Sequence, residues 1–124
     1  MAIKSSLTEA FGDETTDSYI GKRLNKFVKT TERIEYPPFP KQIQIETTNI
    51  CNHSCSFCAY NSMERIKSYM PLDKFKKIVE DCYSCGAREI GLFAGAEPFT
   101  HPKFLDLIKI CKSIGYEYLY ISTN

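Results

Sequence analysis

The sequence predicts an α/β fold built on a parallel sheet, and two observations carry that reading. Three short segments, near 42–48, 89–94 and 118–122, have strand character, and two amphipathic helical segments fall between them. Strand, helix, strand, helix, strand is the order in which each helix supplies the crossover that parallel neighbours require.

From Met1 to about Thr31 the chain is polar and mixed, with Gly12 and Gly21 as breakers and a short amphipathic stretch around Leu24, Phe27 and Val28, which reads as an arm or accessory helix. Lys22, Arg23, Lys26 and Lys29 read as its solvated face. Glu35-Tyr36-Pro37-Pro38-Phe39-Pro40 then blocks helix and sheet alike, because proline lacks an amide donor and restricts its predecessor. The expected division is an arm over 1–40 and an ordered core over 41–124.

Gln42 to Thr48 alternates Ile43 and Ile45 with polar neighbours, the period of a strand. From Pro71, the positions Leu72, Phe75, Ile78, Val79 and Cys82 recur at helical spacing, with Gly86 as the stop. Glu89 to Ala94 is a mostly apolar run ending at Gly95, the pattern of a buried strand. Pro102 opens a second helix whose Leu105, Ile108, Cys111 and Ile114 are expected to face the core, with Gly115 as its end. Tyr118 to Ser122 forms the third strand, and the alternating Tyr116, Tyr118 and Tyr120 read as a packing stripe.

Sixteen basic residues against fifteen acidic ones create no field that calls for nucleic acid or an anionic membrane, and a small-molecule or peptide partner is expected instead. Met1 to Glu14 lacks the unbroken apolar stretch of a signal peptide, and no later run is long enough to span a bilayer. The expected compartment is therefore the cytoplasm, where thiols stay reduced, so the six cysteines point to metal or cluster ligation before disulfides. Cys82 falls on the apolar stripe of the first helix and Cys111 on that of the second, so both read as core residues rather than as redox or metal groups, the C-x2-C pair of Cys82 and Cys85 notwithstanding.

Cys51-Asn52-His53-Ser54-Cys55-Ser56-Phe57-Cys58 places three thiols on one loop leaving the first strand. Three thiolates hold three irons of a four-iron cluster and leave the fourth open to a further ligand. The competing reading is a zinc knuckle completed by His53 or another thiol.

Cys51, Cys55 and Cys58, with the aromatic Phe57 before the last of them, resemble the C-x3-C-x-aromatic-C signature of radical S-adenosylmethionine (radical SAM) enzymes. Gly95-Ala96-Glu97-Pro98, at the end of the second strand, resembles that family's G-G-E-P segment, and Ser122-Thr123-Asn124 resembles the start of its T-N-G turn. The resemblance implies a partial (βα) barrel, here truncated after the third strand. It implies a 4Fe-4S cluster on the three cysteines and S-adenosyl-L-methionine chelated to the open iron. It further implies that a reductant such as flavodoxin or ferredoxin reduces the cluster, whose electron cleaves the sulfonium to methionine and a 5′-deoxyadenosyl radical, which abstracts hydrogen from the substrate. By the same resemblance Gly95, Ala96 and Glu97 hold the methionyl amino group, Phe57 packs near the adenine and Thr123 lines the pocket, with no catalytic side chain assigned. Ala96 departs from the family's second glycine, which matters if that position needs a positive φ. Pro37-Pro38 and Met70-Pro71 are similar to the branch that carries a SPASM domain. The resemblance implies the cluster- and S-adenosylmethionine-binding module of such an enzyme; since the family core has about six strand-helix units and three strands are counted here, the alternative is a truncated cluster-binding fragment that does not turn over by itself.

Overall fold

The computed structural model describes residues 38–124 and Lys22. The chain divides into two compact units, Met1–Pro38 and Phe39–Asn124. Lys22 is helical and exposed, while the stretch at Leu24, Phe27 and Val28 and the basic residues Arg23, Lys26 and Lys29 lie outside the described residues.

In the second unit, β1 (Gln42–Gln44), β2 (Glu89–Gly91) and β3 (Tyr118–Tyr120) form one parallel sheet in the order β1-β2-β3. Its register sets Ile43 beside Ile90 and Ile90 beside Leu119, one layer of branched side chains across all three strands. Helix α1 (Leu72–Ser84) joins β1 to β2, and α2 (Phe104–Ile114) joins β2 to β3. Both helices bury their apolar stripes against the face that carries Ile43, Ile90 and Leu119, and the core comprises Phe75, Val79, Ala87, Ile90, Leu92, Phe104, Leu107, Cys111 and Tyr116. The α/β architecture and parallel sheet expected from the sequence are therefore present. Among the described residues, no helix is long and apolar enough to cross a membrane.

Each strand is shorter than its alternating pattern. β1 ends because its hydrogen-bonding partner changes: Ile45 still donates to Gly91 O, but Thr47 O accepts from Met70 N–H, and Thr48 forms an antiparallel bridge with Tyr69. The period-2 alternation runs on through this exchange, since extended backbone alternates whatever it pairs with.

Helix α1 stops at a Schellman turn, with Gly86 at φ +115, Gly86 N–H donating to Tyr83 O and Ala87 N–H to Cys82 O. Helix α2 begins at Phe104, after a turn at Pro102 and Lys103, and this phase corrects the expected stripe. Phe104, Leu107 and Cys111 are buried, whereas Leu105 is 66% exposed. The Phe104 ring occupies the inward position and packs on Phe99 at 4.7 Å between centroids, which turns Leu105 to the surface.

Tyr116 leaves the stripe expected with Tyr118 and Tyr120. It lies in the core, donates its hydroxyl to Val79 O at 2.9 Å, and burial raises its pKa. Tyr118 and Tyr120 stack on the opposite face of the sheet. Burial pushes the Cys111 thiol up to about 12 and raises that of Cys82, which also neighbours Cys85 and Asp81; both are protonated packing groups.

The corrected phase of α2 has a measurable consequence. Leu107→Ala should destabilise the protein by about 2–5 kcal/mol through cavity formation, whereas Leu105→Ala should stay within about 0.5 kcal/mol. Urea unfolding of the two variants should show this ordering, and equal losses would contradict it.

Candidate functional site

The segments leaving the carboxyl ends of all three strands meet at one end of the sheet. The first is the thiol loop, and its path follows from local polar contacts. Thr48 Oγ1 accepts from Ile50 N–H at 3.1 Å, turning the chain out of its extended run. Cys51 N–H donates to the Tyr60 hydroxyl at 2.8 Å, and Ser54 donates to Asn61 Oδ1 at 2.8 Å, so the short 3-10 turn Ala59–Ser62 closes the loop on itself. Asn49 then ties down the returning chain, donating to Ile66 O at 2.8 Å and accepting from Ser68 N–H at 2.7 Å.

Cys51, Cys55 and Cys58 are all free thiols, the first two half-buried and the third exposed. Backbone amides point at two of the sulfurs: His53 N–H donates to Cys51 Sγ and Tyr60 N–H to Cys58 Sγ, each at 3.4 Å. Among the described residues, no three His, Cys, Asp or Glu side chains converge on a point suited to a single metal ion. Three free thiols on one loop, with amide N–H groups aimed at two of the sulfurs, are a donor set of the kind that holds a four-iron cluster.

The second segment is the turn after β2. Gly95 N–H donates to Glu46 Oε1 at 3.3 Å, and Glu46 is clasped by Arg65 at 2.6 and 3.0 Å. A Cβ on Gly95 would stand 3.3 Å from Glu46 Oε1, so glycine lets the turn approach this ion pair. The Arg65 hydrogen bond is the main cause holding the Glu46 carboxyl below its usual range. Ala96 meets no conformational obstacle, because among the described residues no residue other than glycine has a positive φ.

Glu97 is the third link. Its backbone N–H donates to Ile50 O at 3.2 Å, joining this turn to the thiol loop. Its side chain, in a residue only 4% exposed, accepts from Phe99 N–H at 3.0 Å, the Thr123 hydroxyl at 2.8 Å and Asn124 N–H at 3.0 Å. Burial pushes the carboxyl up, but these donors, with His53 nearby, outweigh it and hold the pKa below the ordinary value. A carboxylate has about four acceptor positions, and three here are filled by the protein.

Of the residues expected at the site, Cys51, Gly95, Ala96, Glu97 and Thr123 lie within this connected set, Cys55 and Cys58 share the thiol loop, and Phe57 is 92% exposed on that loop. Sequence reasoning did not assign Glu46, Arg65, Tyr60 or Asn124 to the site. Glu46 and Arg65 carry no motif that links them. Asn124, part of the segment that resembles the T-N-G turn but given no site role there, reaches Asn52 Oδ1 at 3.1 Å and Cys51 Sγ at 3.9 Å. An open groove of about 470 Å³ between Glu46, Thr48, Arg65, Tyr69 and Lys74 contains none of the thiols, while one of about 230 Å³ lined by Asn49, Tyr60, Met63 and Lys67 flanks their loop.

A cysteine-rich loop and a glycine-acid turn at the carboxyl ends of parallel strands define a cofactor-binding α/β module. Residues 45–124 match the model of the Radical SAM superfamily, and the chain belongs to that superfamily, whose members use a 4Fe-4S cluster and S-adenosylmethionine. It is 34% identical over 85 residues to the tungsten-containing aldehyde ferredoxin oxidoreductase cofactor-modifying protein of Pyrococcus furiosus, covering 68% of this chain and 24% of that protein. It is 31% identical over 86 residues to a GTP 3′,8-cyclase of Clostridium perfringens, covering 66% of this chain and 26% of the cyclase. A 7,8-dihydro-6-hydroxymethylpterin dimethyltransferase of Methanocaldococcus jannaschii is 30% identical over 86 residues, 64% of this chain and 16% of the enzyme. The chain thus spans about a quarter or less of the length of these curated relatives.

Glu97→Gln keeps the shape but removes the charge that its donors face, and should cost about 1.5–3 kcal/mol at neutral pH. Because the Glu97 pKa is lowered on folding, its contribution is complete above the unfolded carboxylate value of about 4.3 and is lost as pH falls through the folded value. The parent should therefore lose stability faster than the variant on acidification, and unfolding curves between neutral pH and pH 3 should converge. Parallel curves would rule out a charged Glu97 as the anchor.

Proposed function

We propose that this chain is the cluster- and S-adenosylmethionine-binding module of a radical SAM enzyme. Cys51, Cys55 and Cys58 hold three irons, Gly95, Ala96 and Glu97 receive the methionyl amino group, Phe57 packs near the adenine and Thr123 lines the same pocket. The observation that carries this reading is the convergence of the thiol loop, the glycine-acid turn and the end of β3 through Ile50, Glu97, Thr123 and Asn124. A 4Fe-4S cluster held by these three cysteines would supply the one electron for reductive cleavage of the sulfonium C–S bond of S-adenosylmethionine, giving methionine and a 5′-deoxyadenosyl radical.

The chain's own residues have defined tasks around that chemistry. Glu97, ionised and three-quarters satisfied by protein donors, offers its remaining acceptor position to an ammonium group. The Glu46 and Arg65 pair fixes the Gly95 amide and with it the path of the turn. Amide donors from His53 and Tyr60 support negative charge on the cysteine sulfurs. The substrate is a small molecule or a peptide, and the electron arrives from a carrier of the flavodoxin or ferredoxin class. A reducing cytoplasm suits six cysteines that are all free thiols.

Anaerobic reconstitution with iron and sulfide should give a brown protein whose reduced cluster changes its electron paramagnetic resonance spectrum when S-adenosylmethionine is added. Serine at Cys51, Cys55 or Cys58 should abolish the cluster. A colourless product that binds one zinc would overturn the reading. Formation of 5′-deoxyadenosine with a reductant separates a competent module from one that only holds the cluster.

A further inference from the structure

We infer that Asn124 is a positioning residue for the Cys51 sulfur and, through it, raises the reduction potential of the cluster. The inference rests on the proposed role of Cys51, Cys55 and Cys58 as cluster ligands.

The amide nitrogen of Asn124 lies 3.1 Å from Asn52 Oδ1 and 3.9 Å from Cys51 Sγ, the long end of the range for sulfur. A side-chain amide has two N–H donors. The one given to Asn52 sets which way the group faces and leaves the other directed at the sulfur. The residue itself is anchored, since its backbone N–H donates to Glu97 Oε2 at 3.0 Å and Thr123 donates to Glu97 Oε1 at 2.8 Å. The donor thus approaches the thiol loop from β3, a separate part of the chain, and is held by a buried carboxylate.

The three sulfurs differ as a result. Among the described residues, Cys51 Sγ receives N–H donors from His53 and Asn124, Cys58 Sγ receives one from Tyr60, and no such donor reaches Cys55. One-electron reduction by a carrier adds negative charge to the cluster, part of it carried by the ligand sulfurs. Donors aimed at those sulfurs stabilise the reduced form more than the oxidised one, and hydrogen bonding to sulfur is a main control on cluster potentials.

The test is an anaerobic redox titration of the reconstituted protein, read by the electron paramagnetic resonance of the reduced cluster, for the parent, Asn124→Ala and Asn124→Asp. Both substitutions keep the backbone N–H that Glu97 needs, and circular dichroism melting reports whether the fold is intact. At the potential where the parent is half reduced, the reduced-to-oxidised ratio should fall several-fold in Asn124→Ala. In Asn124→Asp, where an acceptor carboxylate replaces the donor, it should fall by about tenfold or more, about 59 mV for a one-electron couple. If Asn124→Ala does not fold, the near-isosteric Asn124→Asp carries the test. Potentials equal to the parent's, with or without a lower melting temperature, would overturn the proposal and leave the ligand assignment intact. A parent that assembles no cluster would overturn both.

Discussion

An ion withdrawn from water needs donors that replace its hydration, and the Glu97 carboxylate draws its donors from two parts of the chain. Phe99 lies in its own turn, whereas Thr123 and Asn124 follow β3. The same residue's backbone N–H reaches Ile50, at the entrance to the thiol loop. Desolvating a carboxylate without these partners would cost several kcal/mol, so the fold is strongly biased towards the arrangement that supplies them. That arrangement brings the ends of three strands together. The sheet provides the scaffold, and the buried charge specifies how the segments beyond it meet.

A second polar anchor lies between the helices. His101, almost fully buried, accepts from Lys103 N–H at Nδ1, so the proton resides on Nε2, which donates to Met70 O at 3.0 Å. The entrance to α1 is thereby tied to the entrance to α2, and Tyr69 closes over the imidazole edge-on. Apolar burial holds the helices to the sheet, while His101 and Glu97 set the geometry of the segments that enter and leave them.

Much of this was legible in the sequence because it depends on local chemistry. Thiols at short spacing, glycines that stop helices and branched residues at regular intervals each carry their meaning within a few positions. The errors arose where a partner far along the chain decides the outcome. Alternation through Glu46 and Thr48 predicted a longer β1, but those residues give up the sheet for Arg65 and Tyr69. Proline at 102 suggested the first helical turn, but α2 begins at Phe104, so Phe104 and Leu107 took the core positions and Leu105 did not. Asn124 belongs to the segment that resembles the T-N-G turn, but nothing near it in the sequence indicates that Cys51, 73 residues away, is its neighbour. The Glu46 and Arg65 pair, 19 residues apart, was hidden for the same reason.

The two faces of the sheet differ in chemistry. Parallel sheets are commonly apolar on both faces, and here the face towards the helices follows that rule through Ile43, Ile90 and Leu119. The other face carries Gln42, whose amide donates to the Tyr120 hydroxyl, and Gln44, whose amide donates to Phe93 O, together with the stacked rings of Tyr118 and Tyr120. Whatever lies against that surface meets amides, phenols and ring faces rather than branched hydrocarbon. Such a surface offers hydrogen-bond direction and ring planarity where the helix-facing side offers bulk hydrocarbon.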